Sequence, residues 1–170
     1  MKESEQRQLF DRWLTQHRGL LFKVVRAYSS NHHDSEDLFQ EIAVQLWHSI
    51  PNYKRNCAET TWIYRVAFYS ASTWAQKEKT RREGRKSFET EHPILSQSLE
   101  EVDPRLDWLY ERIHRMDEPD RSLTLLLLDG FQYKEMAEII GLSESNVGVR
   151  LNRIKKLLTQ ETANKAIHEL

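Results

Sequence analysis

Cysteine is almost missing from this chain: Cys57 is the only one among 170 residues. A lone thiol excludes an internal disulfide framework and any zinc site built on cysteines. Glycine and proline are scarce, at five and four residues. With 30% of positions charged, that scarcity favours helices over sheets or disorder. Long apolar runs are missing too. The stretch LTLLLLDG (Leu123 to Gly130) is far too short to cross a bilayer. The opening MKESEQRQ lacks the apolar core of a secretion signal. The expectation is a cytoplasmic protein with no membrane insertion. Net charge is only −1, so any attraction to nucleic acid must come from how charge is distributed.

That distribution is segregated. Lys77, Lys79, Arg81, Arg82, Arg85 and Lys86 crowd one segment, and Arg150, Arg153, Lys155 and Lys156 another. Acid collects at Asp34, Glu36, Asp37 and Glu41, and again from Glu89 to Asp103. Such a chain can offer basic faces to nucleic acid and acidic ones to a protein partner.

What the chain has in quantity is helical periodicity, clearest from Phe131 to Leu158. Met136, Ala137 and Ile140 share a face at three- and four-residue spacing. Gly141 can take the left-handed backbone that ends a helix. Ser143 suits the N-cap of the next. There Val147, Leu151, Ile154 and Leu158 form an apolar stripe, with Ser145, Asn146, Val149, Arg150 and Arg153 opposite. This is the pattern of a helix-turn-helix, whose second helix enters the major groove. Arg can bond guanine, Asn adenine, and Val a thymine methyl. Lys155 and Lys156 read as phosphate contacts, which position without specifying.

The rest is also helical. Leu9, Phe10, Trp13 and Leu14 are followed by Leu20, Leu21, Val24, Val25 and Tyr28, with Gly19 marking a bend or break. Asp34 or Ser35 can cap the next helix, which carries Leu38, Phe39, Ile42, Ala43, Leu46 and Trp47 inside. Asp37, Gln40, Glu41, Gln45 and His48 line its polar side, which by itself reads as a solvated face. Pro51 ends it. A polar loop follows with Asn52, Tyr53, Lys54, Arg55 and Asn56. Thr60 or Thr61 can cap a long helix that buries Trp62, Ile63, Val66, Ala67, Ala71 and Trp74. Arg65, Tyr69 and Lys77 fall on its other faces. Aromatic rings beside cations can stack unpaired bases, and the sequence leaves Tyr53 and Tyr69 open between stacking and packing. From Gly84 to about Pro104 periodicity fails in an acidic, serine-containing linker. Leu106, Leu109, Ile113 and Met116 define a further helix, and Pro119 starts the next, with Leu123, Leu126 and Leu127 inside. The fold class is all-α: two small helical domains on a flexible acidic linker, the second holding the helix-turn-helix.

Three stretches carry a family likeness. DSEDLFQEIAVQLW (Asp34 to Trp47) is very close to a polymerase-binding helix, TWIYRVA (Thr61 to Ala67) matches the start of a promoter-melting helix, and IIGLSESNVGVRLNRIKKLL matches a motif that reads the upstream promoter box. In this order and spacing, over nearly the whole chain, the sequence resembles bacterial RNA polymerase sigma factors of the extracytoplasmic-function group. The resemblance implies a polymerase-binding and promoter-opening domain over residues 1–83, a linker over 84–104 and an upstream-element reader over 105–170. It implies that Asp34, Glu36, Asp37, Gln40 and Glu41 dock on the clamp helices of the polymerase largest subunit. The loop from Asn52 to Asn56 is implied to capture a flipped base of the downstream element, where a pocket and nearby cations are needed. The linker acids Glu100, Glu101 and Asp103 are implied to mimic nucleic acid near the polymerase active site. The implied partners are core RNA polymerase, promoter DNA and an anti-sigma factor, with no cofactor, no metal and no catalysis.

The sequence departs from the family pattern at Phe68, Tyr69, Thr73 and Trp74, at Glu59 and Thr60, and at Gly148 and Val149. Three rivals stand beside this reading. A sigma-like decoy would bind an anti-sigma factor without reading DNA. A plain DNA-binding repressor leaves the acidic helix unexplained. A metal-dependent phosphohydrolase would use His32, His33, Asp34, Glu36 and Asp37, yet no second His/Asp cluster at ligand spacing accompanies them.

Overall fold

The computed structural model describes residues 2–84 and 103–168. Among the described residues it has eight α-helices, one short 3₁₀ turn and no strand. Contacts divide the chain into two compact units, Met1–His114 and Arg115–Leu170. Most of the expected linker, with Glu100 and Glu101, lies outside the described residues.

In the first unit, α1 (Glu3–Gln16) buries Leu9 and Trp13, and α2 (Arg18–Tyr28) buries Leu20, Leu21, Val24, Val25, Ala27 and Tyr28. The break falls at His17, which closes α1 through its N–H on the Trp13 carbonyl (3.0 Å). Gly19 instead sits inside the first turn of α2. Helix α3 (His32–Ser49) is capped by Asn31, whose side-chain oxygen accepts the Asp34 N–H at 2.8 Å. The cap therefore stands three residues ahead of the expected Asp34. Leu38, Ile42 and Leu46 are buried on α3, and Pro51 lies in the 3₁₀ turn Ile50–Asn52 that follows.

Helix α4 (Glu59–Gly84) packs along α3 and α2. It begins before Thr60 and Thr61, with the Trp62 N–H on the Ala58 carbonyl at 3.1 Å, so neither threonine is its cap. Its buried stripe is also rotated from the expected one. Ile63, Tyr64, Ala67, Phe68 and Ala71 are inside, with Tyr64 stacked on Phe68 at 5.1 Å. Trp62, Val66 and Trp74 are only half-buried. Arg12 and Glu59 form an ion pair between α1 and the start of α4. At its other end, the Arg82 guanidinium donates to Asp34 at 2.7 Å. Helix α5 (Pro104–Arg115) buries Ile113 but leaves Leu106 46% exposed.

The second unit packs α6 (Glu118–Leu128), α7 (Tyr133–Ile140) and α8 (Glu144–His168) against one another. Asp117 caps α6, with Pro119 inside its first turn. Leu123, Leu125 and Leu126 are buried, while Leu127 is half-buried. On α7, Met136, Ala137 and Ile139 are buried and Ile140 is half-buried, so the face is turned by one residue from the expected one. Gly141 has φ 78°, left-handed backbone that costs glycine nothing. The Ser143 hydroxyl accepts the Asn146 N–H at 3.2 Å. Val147, Leu151 and Ile154 are then fully buried. The helix-turn-helix is assembled as its spacing indicates.

Candidate nucleic-acid interface

The outer face of α8 can be built residue by residue. Ser145, Asn146, Val149, Asn152, Arg153 and Lys156 are all exposed, at the three- and four-residue steps that put them on one side. Val149 is 69% exposed, an apolar group where solvent alone would favour a polar one. A shallow groove of about 410 Å³ runs between Val149, Asn152, Arg153, Lys156, Leu157 and Gln160. Asn152 and Gln160 escaped the sequence reading, although a three-residue step on from Val149 and a four-residue step on from Lys156 would have pointed to them.

Arg150 does not lie on that open face. Its guanidinium donates to the Asp120 carboxylate at 2.7 Å, with Asp117 at 3.6 Å, and its Nε donates to Asn146 Oδ1 at 3.2 Å. Arg153 pairs with the other oxygen of the same carboxylate. Asp120 is buried in the first turn of α6, and its bond pushes Arg150 still further towards the charged form. The expected base contact at Arg150 is thus occupied by an acid that sequence reasoning missed.

Tyr133, at the start of α7, lies against α8 where Gly148 leaves room. A Cβ built at Gly148 would stand 3.6 Å from the Tyr133 ring, an ordinary contact. Lys155 Nζ is 6.0 Å from the same ring. Gly148→Ala is therefore expected to stabilise the second unit, by up to about 1 kcal/mol from helix propensity. A thermal melt that shows the variant less stable would contradict this packing.

In the first unit the expected downstream-element residues part company. Tyr53 is buried, with its ring 5.3 Å from Trp13 and 5.4 Å from Trp62. Its hydroxyl donates to the Cys57 carbonyl at 2.8 Å. Burial pushes its pKa up. Tyr53 is a core residue, and the stacking option closes. Asn52, Lys54, Arg55 and Asn56 remain exposed around it. Arg55 alone among the described non-glycine residues has positive φ, at 57°.

Tyr69 is 73% exposed on α4. With Arg65, Trp62 and Val66 it lines an open cleft of about 320 Å³ whose other wall is Gln45 and His48 of α3. Trp62 is fixed there by its indole N–H on the Ser49 hydroxyl at 3.0 Å. Lys77 is exposed further along α4.

On α3 the expected docking residues reach solvent with one exception. Glu36, Asp37 and Gln40 are exposed, and Glu41 is half-buried, accepting from the Gln45 amide at 3.0 Å. Asp34 is buried, its carboxylate taken by Arg82 (2.7 Å) and the Asn31 amide (2.8 Å). Both bonds fall on Oδ2, and they make Asp34 a structural tie between α3 and α4. Val44, 49% exposed, stands on the same side as Asp37, Gln40 and Glu41 and was missed. His32 and Glu36 (3.6 Å), and His33 and Asp37 (3.4 Å), pair along the helix surface. No group of three or more metal-binding side chains occurs among the described residues, and none of their helices is long and apolar enough to cross a membrane.

A helical chain ending in a helix-turn-helix with a polar outer face belongs to the broad class of DNA-reading proteins. The comparisons narrow it. Residues 13–81 match sigma-70 region 2 and residues 106–158 match sigma-70 region 4, together more than half of the chain. The chain belongs to the sigma-70 family of transcription initiation factors, in its extracytoplasmic-function group. It is 26% identical to the ECF RNA polymerase sigma-E factor of Haemophilus influenzae, over 88% of this chain and 83% of that one. It is 24% identical to the ECF sigma factor SigX of Bacillus subtilis, over 81% and 73% respectively. In fold it is similar to the sigma factor RpoE of Bartonella quintana, solved in complex with the anti-sigma factor NepR. The TM-score is 0.64 at 21% identity, covering 89% of this chain and 94% of that one.

Proposed function

We propose that this protein is an alternative sigma factor that binds core RNA polymerase in the cytoplasm and directs it to a two-box promoter. The observation that carries the reading is one chain with an acidic, Val44-centred α3 face and an exposed α8 face on a helix-turn-helix. Residues 1–83 hold the polymerase and open the downstream box, 84–104 form the tether, and 105–170 read the upstream box. Glu36, Asp37, Gln40, Glu41 and Val44 form the docking face, an apolar centre with a charged surround as protein interfaces are built. Ser145, Asn146, Val149, Asn152 and Arg153 face base edges, while Lys155 and Lys156 hold phosphates. Asn52, Lys54, Arg55, Asn56, Arg65, Tyr69 and Lys77 serve the downstream strand, with Tyr69 as the stacking surface. The protein catalyses nothing itself. An anti-sigma factor, such as the one in the Bartonella complex, is its proposed negative regulator.

The test is capture of bacterial core polymerase by the purified chain, followed by run-off transcription from a promoter library. Binding with initiation at a defined two-box sequence is expected. Failure to bind polymerase would discard the reading and favour a sigma-like decoy that only titrates an anti-sigma factor.

Arg55 gives a sharper check. Left-handed backbone costs a non-glycine residue about 1–2 kcal/mol, and glycine's extra freedom when unfolded costs about 0.4–1 kcal/mol. Arg55→Gly should therefore leave the melting temperature unchanged or raise it slightly. Promoter opening should fall roughly tenfold if the guanidinium holds the strand, a loss within the range of one specific contact. Unchanged opening would remove Arg55 from the downstream contact.

A further inference from the structure

We propose that Asp120 is a specificity-determining residue that acts through Arg150, Arg153 and Asn146 of the reading helix. The inference rests on the promoter-reading function proposed above. Its basis is a relay of three side chains. Asp120 is 93% enclosed (7% exposed), and each of its carboxylate oxygens takes one guanidinium. Arg150, so held, donates from Nε to Asn146 Oδ1 at 3.2 Å. Arginine has donors only, so the amide must turn its oxygen inward to Arg150. The Asn146 NH₂ is left facing outward.

Two consequences follow from that chemistry. The first concerns which base edge is read. Bidentate recognition of adenine needs the amide to offer an acceptor and a donor together. Arg150 takes one of the two lone pairs of Oδ1 and fixes the direction of the amide. The NH₂ therefore leads towards the duplex and favours an acceptor edge (guanine N7 and O6, adenine N7 or thymine O4) over the acceptor–donor pair of adenine. Asp120, linked to Asn146 through Arg150, sets the preference. The second concerns charge. Residues 115–170 hold eight Lys and Arg against nine Asp and Glu, so the unit has no surplus of cations. Asp120 and Asp117 together balance Arg150 and Arg153. Non-specific binding to phosphate is thereby suppressed, because each neutralised phosphate contributes affinity on any sequence. Arg153, 62% exposed at its side chain, can leave Asp120 for DNA; Arg150 stays as the strut for Asn146.

The experiment uses the full chain assembled with core polymerase and a randomised duplex library. Wild type is expected to enrich one upstream box. Asp120→Asn should change the preferred base at one position of that box towards adenine. On a scrambled duplex its binding should strengthen, with a salt dependence steeper by about one to two counterions. The ratio of selected to scrambled binding should fall about tenfold. Asp120→Glu, which keeps the charge, should recover most of that ratio. Should Asp120→Asn not fold, as judged by its thermal melt, Arg150→Met carries the test: it frees Asn146 while leaving Asp120 in place, and must shift the same base position. An unshifted base preference with an unchanged salt slope overturns the inference while the promoter reading stands. A wild-type chain that enriches no duplex overturns both.

Discussion

Asp37→Lys combined with Glu41→Lys is expected to abolish binding to core polymerase while leaving the fold intact. Asp37 is exposed, and Glu41 accepts a hydrogen bond from the Gln45 amide at 3.0 Å on the same helix. Neither side chain anchors α3, whose hold on the unit comes from Leu38, Ile42 and Leu46. The double change reverses two charges around Val44. Like charges set against each other across an interface cost several kcal/mol, enough to take a nanomolar complex beyond the micromolar range. Capture of core polymerase should be lost, with the thermal melt moving by only a few degrees. Retained capture would mean that the α3 face is simply solvated. Asp34→Asn makes the opposite case. It unties Arg82 from a buried partner, so it should lower stability, and any effect on polymerase binding should follow from that loss.

Trp13→Ala is expected to be the most disruptive single change in the first unit. Trp13 is fully buried, and truncating such a residue costs about 3–5 kcal/mol, a large part of the 5–15 kcal/mol that holds typical domains together. The damage should also spread along the chain. Trp13 stands 5.3 Å from the Tyr53 ring, and Tyr53 holds the Cys57 carbonyl at 2.8 Å, so the loop carrying Lys54 and Arg55 loses its base. Tyr53→Phe is the mild counterpart: it keeps the ring, frees the Cys57 carbonyl, and should cost about 0.5–1.5 kcal/mol. Urea melts of the two variants separate the outcomes. A small loss for Trp13→Ala would show that the indole is not a keystone. Because burial raises the Tyr53 pKa, its contribution is present below the ordinary tyrosine value and is lost as pH rises through the raised one.

The parts of this architecture that depend on neighbours in sequence were readable in advance. Gly141, Ser143 and the stripe Val147, Leu151 and Ile154 each express a local rule, and all stand where spacing put them. The parts that depend on distant partners were not. Asp34 looked like a cap because its partner Arg82 lies 48 residues on. Arg150 looked like a base reader because Asp120 lies 30 residues back. Periodicity says which face of a helix is apolar, but not which carboxylate will come to rest beside a guanidinium. The α4 stripe was misjudged for a related reason. Trp62, Ile63, Tyr64, Val66, Ala67 and Phe68 surround much of the helix with apolar groups, and only the positions of α2 and α3 select Tyr64 and Phe68 for the interior. Tyr53 is the same lesson in a loop, since a polar neighbourhood concealed its place between two indoles.

The left-handed backbone at Arg55 also limits how this loop can drift over generations. Valine, isoleucine and threonine branch at Cβ and clash most severely there, whereas asparagine, aspartate and glycine enter that region readily. Most of the interchange at position 55 should therefore run among arginine, lysine, asparagine, aspartate and glycine. The loop can lose or reverse its charge by one substitution without refolding, so the strength of strand capture can be retuned while the core formed by Trp13, Tyr53 and Trp62 remains as it is.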